Sequence, residues 1–323
     1  AGYACARDRD RRALTLRMTA HVDNAVAQFE PGILEGRLPS AELPRQSRKG
    51  HLGRLCEKLQ LPPAAERASR LVPKQKFVQQ VAGALKFPER LKPRLAWPLW
   101  KLFRVMSYPY PVEEAYMAAR LLLELAYSHR QEGITFGGDI DTNPRLLAFM
   151  HAEVDVNGSP PIELEGHSDA TWNTDADSYA AVITRYGGAV HHGVWAMKLI
   201  CDSSALAEGI ASGRVAEKLT LVQEIERGAG VASETPPVLT TDSTSNWQIA
   251  TRHTSANRAR HALRRWRVLM ERIKARELIF MSVPGLQQPA DFMTKLTSGN
   301  SVNAWVAYVT NARNAVPATV LEA

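Results

Sequence analysis

The stretch Ile162-Glu163-Leu164-Glu165-Gly166-His167-Ser168-Asp169-Ala170-Thr171-Trp172 decides how the rest of the chain is read. Ile162, Leu164, Gly166 and Ser168 alternate with Glu163, Glu165, His167 and Asp169, and a period of two marks a β-strand. Working outward, Tyr179 to Arg185 reads as a second strand, Gly187–Gly188 as a turn, and Ala189 to Ala196 as a third strand, which makes an antiparallel meander. Ser203–Ser204 then caps a long helix to about Arg227. Pro237 to Thr241 reads as a short strand of the buried type and Ser243 to Arg252 as a helix. Asn257 to Arg276 reads as a long basic helix, Leu278 to Val283 as a fifth strand, and Pro289 to Lys295 as a helical turn. The order β-β-β-α-β-α-α-β-α predicts an α/β (α+β) unit, a mixed five-stranded sheet flanked by helices.

The preceding half has a different character. Residues 1–150 hold 24 Lys and Arg against 15 Asp and Glu, a net of +9, whereas the remainder nets −2 out of the chain total of +7. A basic half beside a slightly acidic one suits a polyanion-binding surface next to a site that needs carboxylates, although a positive surface also serves solubility alone. The first 50 residues show little pattern, with some apolar content at Met18 to Phe29 and a loop or linker over 31–50. Short helices are expected at His51–Gln60, Lys76–Leu85 and Leu99–Met106. A longer one, opened by Pro111 and two early glutamates, should reach about Tyr127. Gly133 to Phe136 reads as a short strand. Residues 1–155 are thus expected to form a basic, mainly helical unit, 160–297 the sheet-bearing domain, and 298–323 a C-terminal helix or tail.

Composition excludes other classes. Hydrophobic residues make up 45% and charged residues 23%, which are globular values. The apolar run Ala115–Ala126 is broken by Arg120 and Glu124, so the sequence offers no membrane span. Cys5, Cys56 and Cys201 form no CxxC pair, and an odd number argues against a disulfide framework, which points to a reducing, intracellular compartment. The absence of an initial Met suggests a fragment or a piece of a longer polyprotein.

Four acids occupy informative places: Asp169 at the end of the first strand, Glu208 in the first long helix, Asp242 at the end of the fourth strand and Asp291 opening the last turn. Each alone is as ordinary as a solvated residue or a helix cap. Their joint position, in a sheet whose first and fourth strands are neighbours, makes a hard-oxygen site suited to Mg²⁺ or Mn²⁺ rather than zinc. Two such ions ~4 Å apart can activate a water and stabilise the leaving oxygen of a phosphodiester.

The motifs carrying these acids resemble those of the ribonuclease H domain of copia-type (Pseudoviridae) retrotransposon Pol polyproteins. Ser168-Asp169-Ala170-Thr171-Trp172 is similar to that family's S-D-A-D-W, and Ser203-Ser204-Ala205-Leu206-Ala207-Glu208-Gly209-Ile210-Ala211 to its S-S-x-x-A-E-Y-x-A. Thr241-Asp242-Ser243-Thr244-Ser245 resembles C-D-N-x-S, and Arg260-His261-Ala262-Leu263-Arg264 resembles part of R-H-I-D-x-R. Val283-Pro284-Gly285 with Ala290-Asp291-Phe292-Met293-Thr294-Lys295 resembles V-x-T followed by A-D-x-x-T-K. Upstream, Val105-Met106-Ser107-Tyr108-Pro109 and Gly133-Ile134-Thr135-Phe136 resemble the family's M-S-x-P and G-I-x-Y, so the likeness covers roughly residues 45–297. Departures are Thr171, Leu206 and Leu263, each standing where the family has an acid, and the absence of a polymerase Y-V-D-D.

The resemblance implies a ribonuclease H-like fold and a metal-dependent endonuclease that cuts the RNA strand of RNA–DNA hybrids. Asp169 would bridge two Mg²⁺ with Glu208, Asp242 and Asp291 completing their shells. The implied partners are the hybrid and an upstream reverse transcriptase polymerase domain of the same polyprotein, with no membrane. Arg258, Arg260, His261, Arg264, Arg265 and Lys295 are the candidate nucleic-acid contacts, although a charge run on one helix face is also what a solvated face looks like. Loss of three second-rank acids supports a different outcome, a decayed remnant that keeps the fold and at most binds nucleic acid. Trp172, Trp195, Trp247 and Trp266 read as core residues, Cys56 and Cys201 as small buried ones, and His191–His192 as a satisfied or exposed pair with no acidic partner nearby in sequence.

Overall fold

The computed structural model describes residues 3–43, 50–60, 73–108, 112–138, 164–172, 178–197, 201–233, 235–252 and 263–315. The chain opens with a hairpin, β1 (Ala4–Asp8) and β2 (Ala13–Arg17), followed by α1 (Thr19–Phe29). Two short 3₁₀ turns, Pro31–Ile33 and Pro39–Glu42, occupy part of the expected linker. Helices α2 (His51–Lys58), α3 (Pro73–Glu89), α4 (Ala96–Val105) and α5 (Val112–Ser128) follow, then β3 (Gly133–Gly137). β3 pairs antiparallel with β2, closing a three-stranded sheet in the order β1-β2-β3. The opening hairpin escaped sequence reading because its arginines and aspartates break the apolar pattern: only Ala6 of β1 is fully covered. The helices bury one apolar cluster in which Val22, Val81, Leu85, Leu102 and Leu122 are inaccessible to solvent.

The second half begins with β4 (Leu164–Thr171), β5 (Ser178–Arg185) and β6 (Gly188–Ala196). The β5–β6 turn is Tyr186–Gly187, with φ of 48° and 79°, the doubly positive pair that a two-residue hairpin turn requires. Next come α6 (Ser204–Gly228), β7 (Val238–Thr241), α7 (Thr244–Arg252), α8 (Leu263–Lys274), β8 (Ile279–Ser282), a 3₁₀ turn at Asp291–Met293 and α9 (Gly299–Val309). The strands form one sheet in the order β6-β5-β4-β7-β8, antiparallel across β6-β5-β4 and parallel across β4-β7-β8. The expected mixed five-stranded sheet with flanking helices is therefore present. The helix expected over 257–276 is described from Leu263 onward; 257–262 lie outside the described residues.

Strand β4 is buried on both faces, unlike a surface strand with one wet side. One face, Leu164, Gly166 and Ser168, packs on α6. A Cβ on Gly166 would come within 2.8 Å of Leu219 Cδ1, so the glycine lets helix and sheet approach closely. Ala207, Ala211, Val215 and Leu219 recur every four residues along α6 and form the facing stripe. Ser203 caps this helix, its side chain accepting from the Leu206 N–H at 3.3 Å. The other face of β4, Glu165, His167 and Asp169, is polar yet inaccessible. It is covered by the segment around residues 288–309, where the Tyr308 hydroxyl donates to Glu165 Oε2 at 2.5 Å.

The two halves meet through side chains and backbone. Met18, Leu91, Ala96 and Ile134 share a buried cluster with Ala180, Val182, Phe292, Met293 and Val306. The Thr135 N–H donates to Thr310 O at 3.0 Å and the Gly137 N–H to Tyr186 O at 2.9 Å. His192, with no acid nearby in sequence, finds one from α3: its Nε2 lies 2.9 Å from Glu89 O and 3.8 Å from Glu89 Oε1. Among the described residues, no helix is long and apolar enough to cross a membrane.

Trp266 of α8 packs against α6 at Gly209, where a Cβ would stand 2.4 Å from the indole Cε2. A rigid ring cannot yield as a flexible chain end would. Gly209→Ala is expected to lower stability by about 1–3 kcal/mol, the cost of overpacking a filled core, measured by denaturant unfolding. A variant as stable as wild type would refute this packing.

Candidate metal centre

The parallel pairing of β4 with β7 runs Glu165 with Val238 through His167 with Thr240. Continued by two residues, that register sets Asp169 level with Asp242 on neighbouring strands, about 5 Å apart along the sheet. Helix α6 runs along β4 and brings its first turns to this end. Glu208 and Ser212, one turn apart, follow β4 in the reverse direction: Ser212 Oγ is 2.9 Å from Ser168 Oγ, and Glu208 Oε1 accepts from the Ala170 N–H at 3.2 Å. The result is a cluster in which Asp169, Glu208 and Asp242 each offer an oxygen within 4.8 Å of the others.

Asp291 and Lys295 border this cluster. Gln288 is fully buried, and its Nε2 donates to Ser168 O at 3.1 Å, pinning the loop to β4. The following turn brings Thr294 over Asp169, and the threonine hydroxyl donates to Asp169 Oδ2. Asp291 stands beside the group of three acids whose oxygens lie within 4.8 Å of one another, and its charge acts on Asp169. Its Oδ1 pairs with Lys295 Nζ at 2.8 Å. Lys295, a candidate nucleic-acid contact by sequence, thus stands among acids. Arg258, Arg260 and His261 lie outside the described residues, as do the side chains of Arg264 and Arg265 on α8.

A buried polar relay supports the cluster from behind. Asn246 Nδ2 donates to Ser212 Oγ at 2.8 Å, and Trp266 Nε1 donates to Asn246 Oδ1 at 2.7 Å. Ser168, Ser212, Asn246 and Trp266 thereby link β4, α6, α7 and α8, with every described member satisfied. Sequence reading missed this relay and Thr294. Thr294 had a signal, its place in the Asp291-to-Lys295 motif, and Ser212 had one in its four-residue distance from Glu208. Asn246 had none.

Trp172 was expected in the core. It is 56% exposed, because it follows the last paired residue of β4, and its Nε1 reaches back to Cys201 O at 3.0 Å. Trp266 is buried, as are Cys56 and Cys201.

Burial pushes the Asp169 carboxyl up to about 7, with the charges of Asp291 and Asp242 adding to it and Lys295 and Thr294 opposing. Burial likewise raises Glu208 to about 9, reinforced by Asp169 and Asp242. Asp291 is raised by burial against the pull of Lys295. Lys295 is held above its ordinary value: burial lowers it, but Asp169, Asp291 and Asp242 outweigh that loss. Carboxylates driven this way call for a cation. The donor set fits one: it is all hard oxygen, and Glu208 Oε2 is buried without a hydrogen-bond partner.

No protein-family model matches the chain, and no curated protein sequence does. Among solved structures, it is similar to the N-terminal RNase H domain of Rv2228c from Mycobacterium tuberculosis. That match has 12% identity and a TM-score of 0.32, and covers 45% of this chain and 96% of that one. It is also similar to RNase H1 of the archaeon Halobacterium salinarum NRC-1, with 18% identity and a TM-score of 0.29 over 38% and 86% of the two chains. A third likeness is to the prototype foamy virus protease-reverse transcriptase, with 14% identity and a TM-score of 0.31 over 62% of this chain and 27% of that one. The architecture itself, a mixed five-stranded sheet flanked by helices, rests on the chain's own strand order and pairing.

From the ordinary carboxylate range near pH 4, the fold keeps protons that the unfolded chain has released, on Asp169 up to about 7 and on Glu208 up to about 9. Metal-free stability therefore falls as pH rises through that window. In chelator, the melting temperature is expected to drop from pH 5 to pH 9. Glu208→Gln, which still accepts from the Ala170 N–H, should melt several degrees higher than wild type at pH 8 and flatten the slope. A wild-type curve that rises with pH would refute the assignment.

Proposed function

We propose that this protein is a metal-dependent endonuclease of the ribonuclease H type, hydrolysing the RNA strand of RNA–DNA hybrids within a retrotransposon Pol polyprotein of the copia kind. One observation carries the reading. Asp169, Glu208 and Asp242 meet within 4.8 Å at the end of two neighbouring parallel strands, where ligands of open α/β sheets gather. The residue motifs that hold those acids, and the hard-oxygen donor set, support the same conclusion.

Mg²⁺ or Mn²⁺ would be held by these three acids and would supply Lewis acidity toward a water and the scissile phosphate. The chain's own groups do the rest. Thr294 fixes the Asp169 carboxylate, the Ala170 N–H fixes Glu208, and the relay through Ser212 and Asn246 keeps α6 in register with β4. Hydrolysis joins a water oxygen to phosphorus and breaks the bond from phosphorus to the 3′-oxygen. The water loses a proton and the departing oxygen gains one, leaving a 5′-phosphate and a 3′-hydroxyl. Arg258, Arg260, His261, Arg264 and Arg265, on and before α8, supply phosphate contacts. Such a duplex is recognised by shape and 2′-hydroxyls rather than base edges. The upstream polymerase domain of the same polyprotein is the implied partner, in an intracellular setting.

A second reading has its own observation. Thr171, Leu206 and Leu263 replace acids of the resembling family, which favours a decayed remnant that binds nucleic acid without cutting it.

Asp169→Asn separates the two. With Mg²⁺, wild type is expected to cleave a hybrid, and the variant to lose at least about 10²–10³ in rate, the scale of removing one electrostatic stabiliser. Hybrid binding should persist in the variant, since it rests on basic groups elsewhere and one negative charge near phosphate has gone. An active variant refutes the mechanism, and an inactive wild type favours the remnant.

A further inference from the structure

We propose that Leu286 is a substrate-positioning residue, whose side chain packs against sugars of the cleaved strand beside the scissile phosphate and holds that strand over the acids. The inference rests on the nuclease reading above and deepens it. Leu286 falls between the two motif pieces Val283–Gly285 and Ala290–Lys295 and belongs to neither.

The segment that carries Leu286 is fastened to both acid-bearing strands. At its start, the Val283 N–H donates to Thr241 O at 2.8 Å, next to Asp242. At its end, fully buried Gln288 donates Nε2 to Ser168 O at 3.1 Å, next to Asp169. Between them Gly285–Gln287 forms one 3₁₀ turn. The Gln287 N–H donates to Pro284 O at 2.7 Å and the Gln288 N–H to Gly285 O at 3.1 Å. A Cβ on Gly285 would stand 3.5 Å from Asp242 Oδ2, so the turn passes beside the cluster. Leu286 comes next, and at 88% it is the most exposed large apolar residue among those described.

A single leucine on a surface is ordinary. A backbone tied at both ends beside the acids sets this one apart, because it fixes where the leucine is offered. A phosphate held by Asp169, Glu208 and Asp242 brings its flanking sugars to the same edge of the sheet. An A-like duplex hides its major groove from side chains but opens a wide, shallow minor groove in which sugars are within reach. Sugar C–H faces can be covered by an aliphatic side chain without a hydrogen bond, and the contact releases water from both surfaces. It carries no base information. The leucine moves no proton and forms no bond; it limits how the strand can lie.

The test compares Leu286→Ser, Leu286→Met and Ile225→Ser in the full chain. Ile225 is the control: it is 63% exposed and lies roughly 25 Å along α6 from Glu208 at 1.5 Å per residue. Cleavage of RNA–DNA hybrids of two unrelated sequences gives kcat and KM. Fluorescence anisotropy of the same hybrids, in the Asp169→Asn background, gives Kd, and circular dichroism checks folding. Leu286→Ser is expected to raise KM and Kd about tenfold, the scale of losing one buried leucine contact, with kcat within about twofold of wild type. Leu286→Met and Ile225→Ser should match wild type, and the loss should be equal for both sequences. Unchanged KM and Kd in Leu286→Ser, or an equal loss in Ile225→Ser, overturns the inference. So does a fall confined to kcat, which places the effect on the acids, or a loss with one sequence only, which means a base contact. A wild type that binds hybrid without cutting it overturns the nuclease reading, and the Kd comparison then decides the role of the leucine by itself. A chain that binds no hybrid overturns both.

Discussion

Carboxylates gathered out of water repel one another, and the end of β4 is organised to hold them against that repulsion. Asp169 and Asp242 are neighbours because the parallel register of β4 and β7, continued by two residues, sets them level. Glu208 is brought in by a helix whose cap, apolar stripe and Ser212 contact all fix its height along the strand. Behind them, the relay to Asn246 and Trp266 ties the supporting helices together with hydrogen bonds that would be costly to leave unmade. The site is thus strained by charge and held by packing. That is the arrangement expected where function needs an unfavourable grouping that the rest of the fold must tolerate.

The elements that position the acids were legible in the sequence because their physics is local. The alternation from Leu164 onward, the Ser203 cap and the short apolar run before Asp242 each signal one element and its limits. The hairpin turn shifted by one residue, from Gly187–Gly188 to Tyr186–Gly187, because Tyr186 tolerates a positive φ that composition assigns to glycine. Strand β4 runs on to Thr171, two residues past the acid taken as its end, since Ala170 and Thr171 pair with Tyr179 and Ser178.

What stayed illegible depends on contacts between distant residues. The hairpin at Ala4–Arg17 is completed by β3, more than a hundred residues later, and only that pairing rescues its polar strands. The alternation of β4 marks a strand without showing what covers its polar face, which Thr294 and Tyr308 do. Lys295 reads as a nucleic-acid contact at the end of the Ala290-to-Lys295 motif, and only the fold reveals that Asp169, Asp242 and Asp291 surround it. Trp172 reads as core by residue type, while its position past the paired strand decides its exposure.

The cover over β4 also sets an order of events during synthesis. Chains emerge from the ribosome N-terminus first. Asp169 is made 125 residues before the threonine that binds its oxygen, and Glu165 143 residues before the tyrosine that caps it. A nascent chain can assemble β4, β5, β6 and α6 while one face of the central strand still awaits its lid. The contacts that enclose the centre form only once the segment through Lys295 has been translated, so a half-made polypeptide carries the acids without that enclosure.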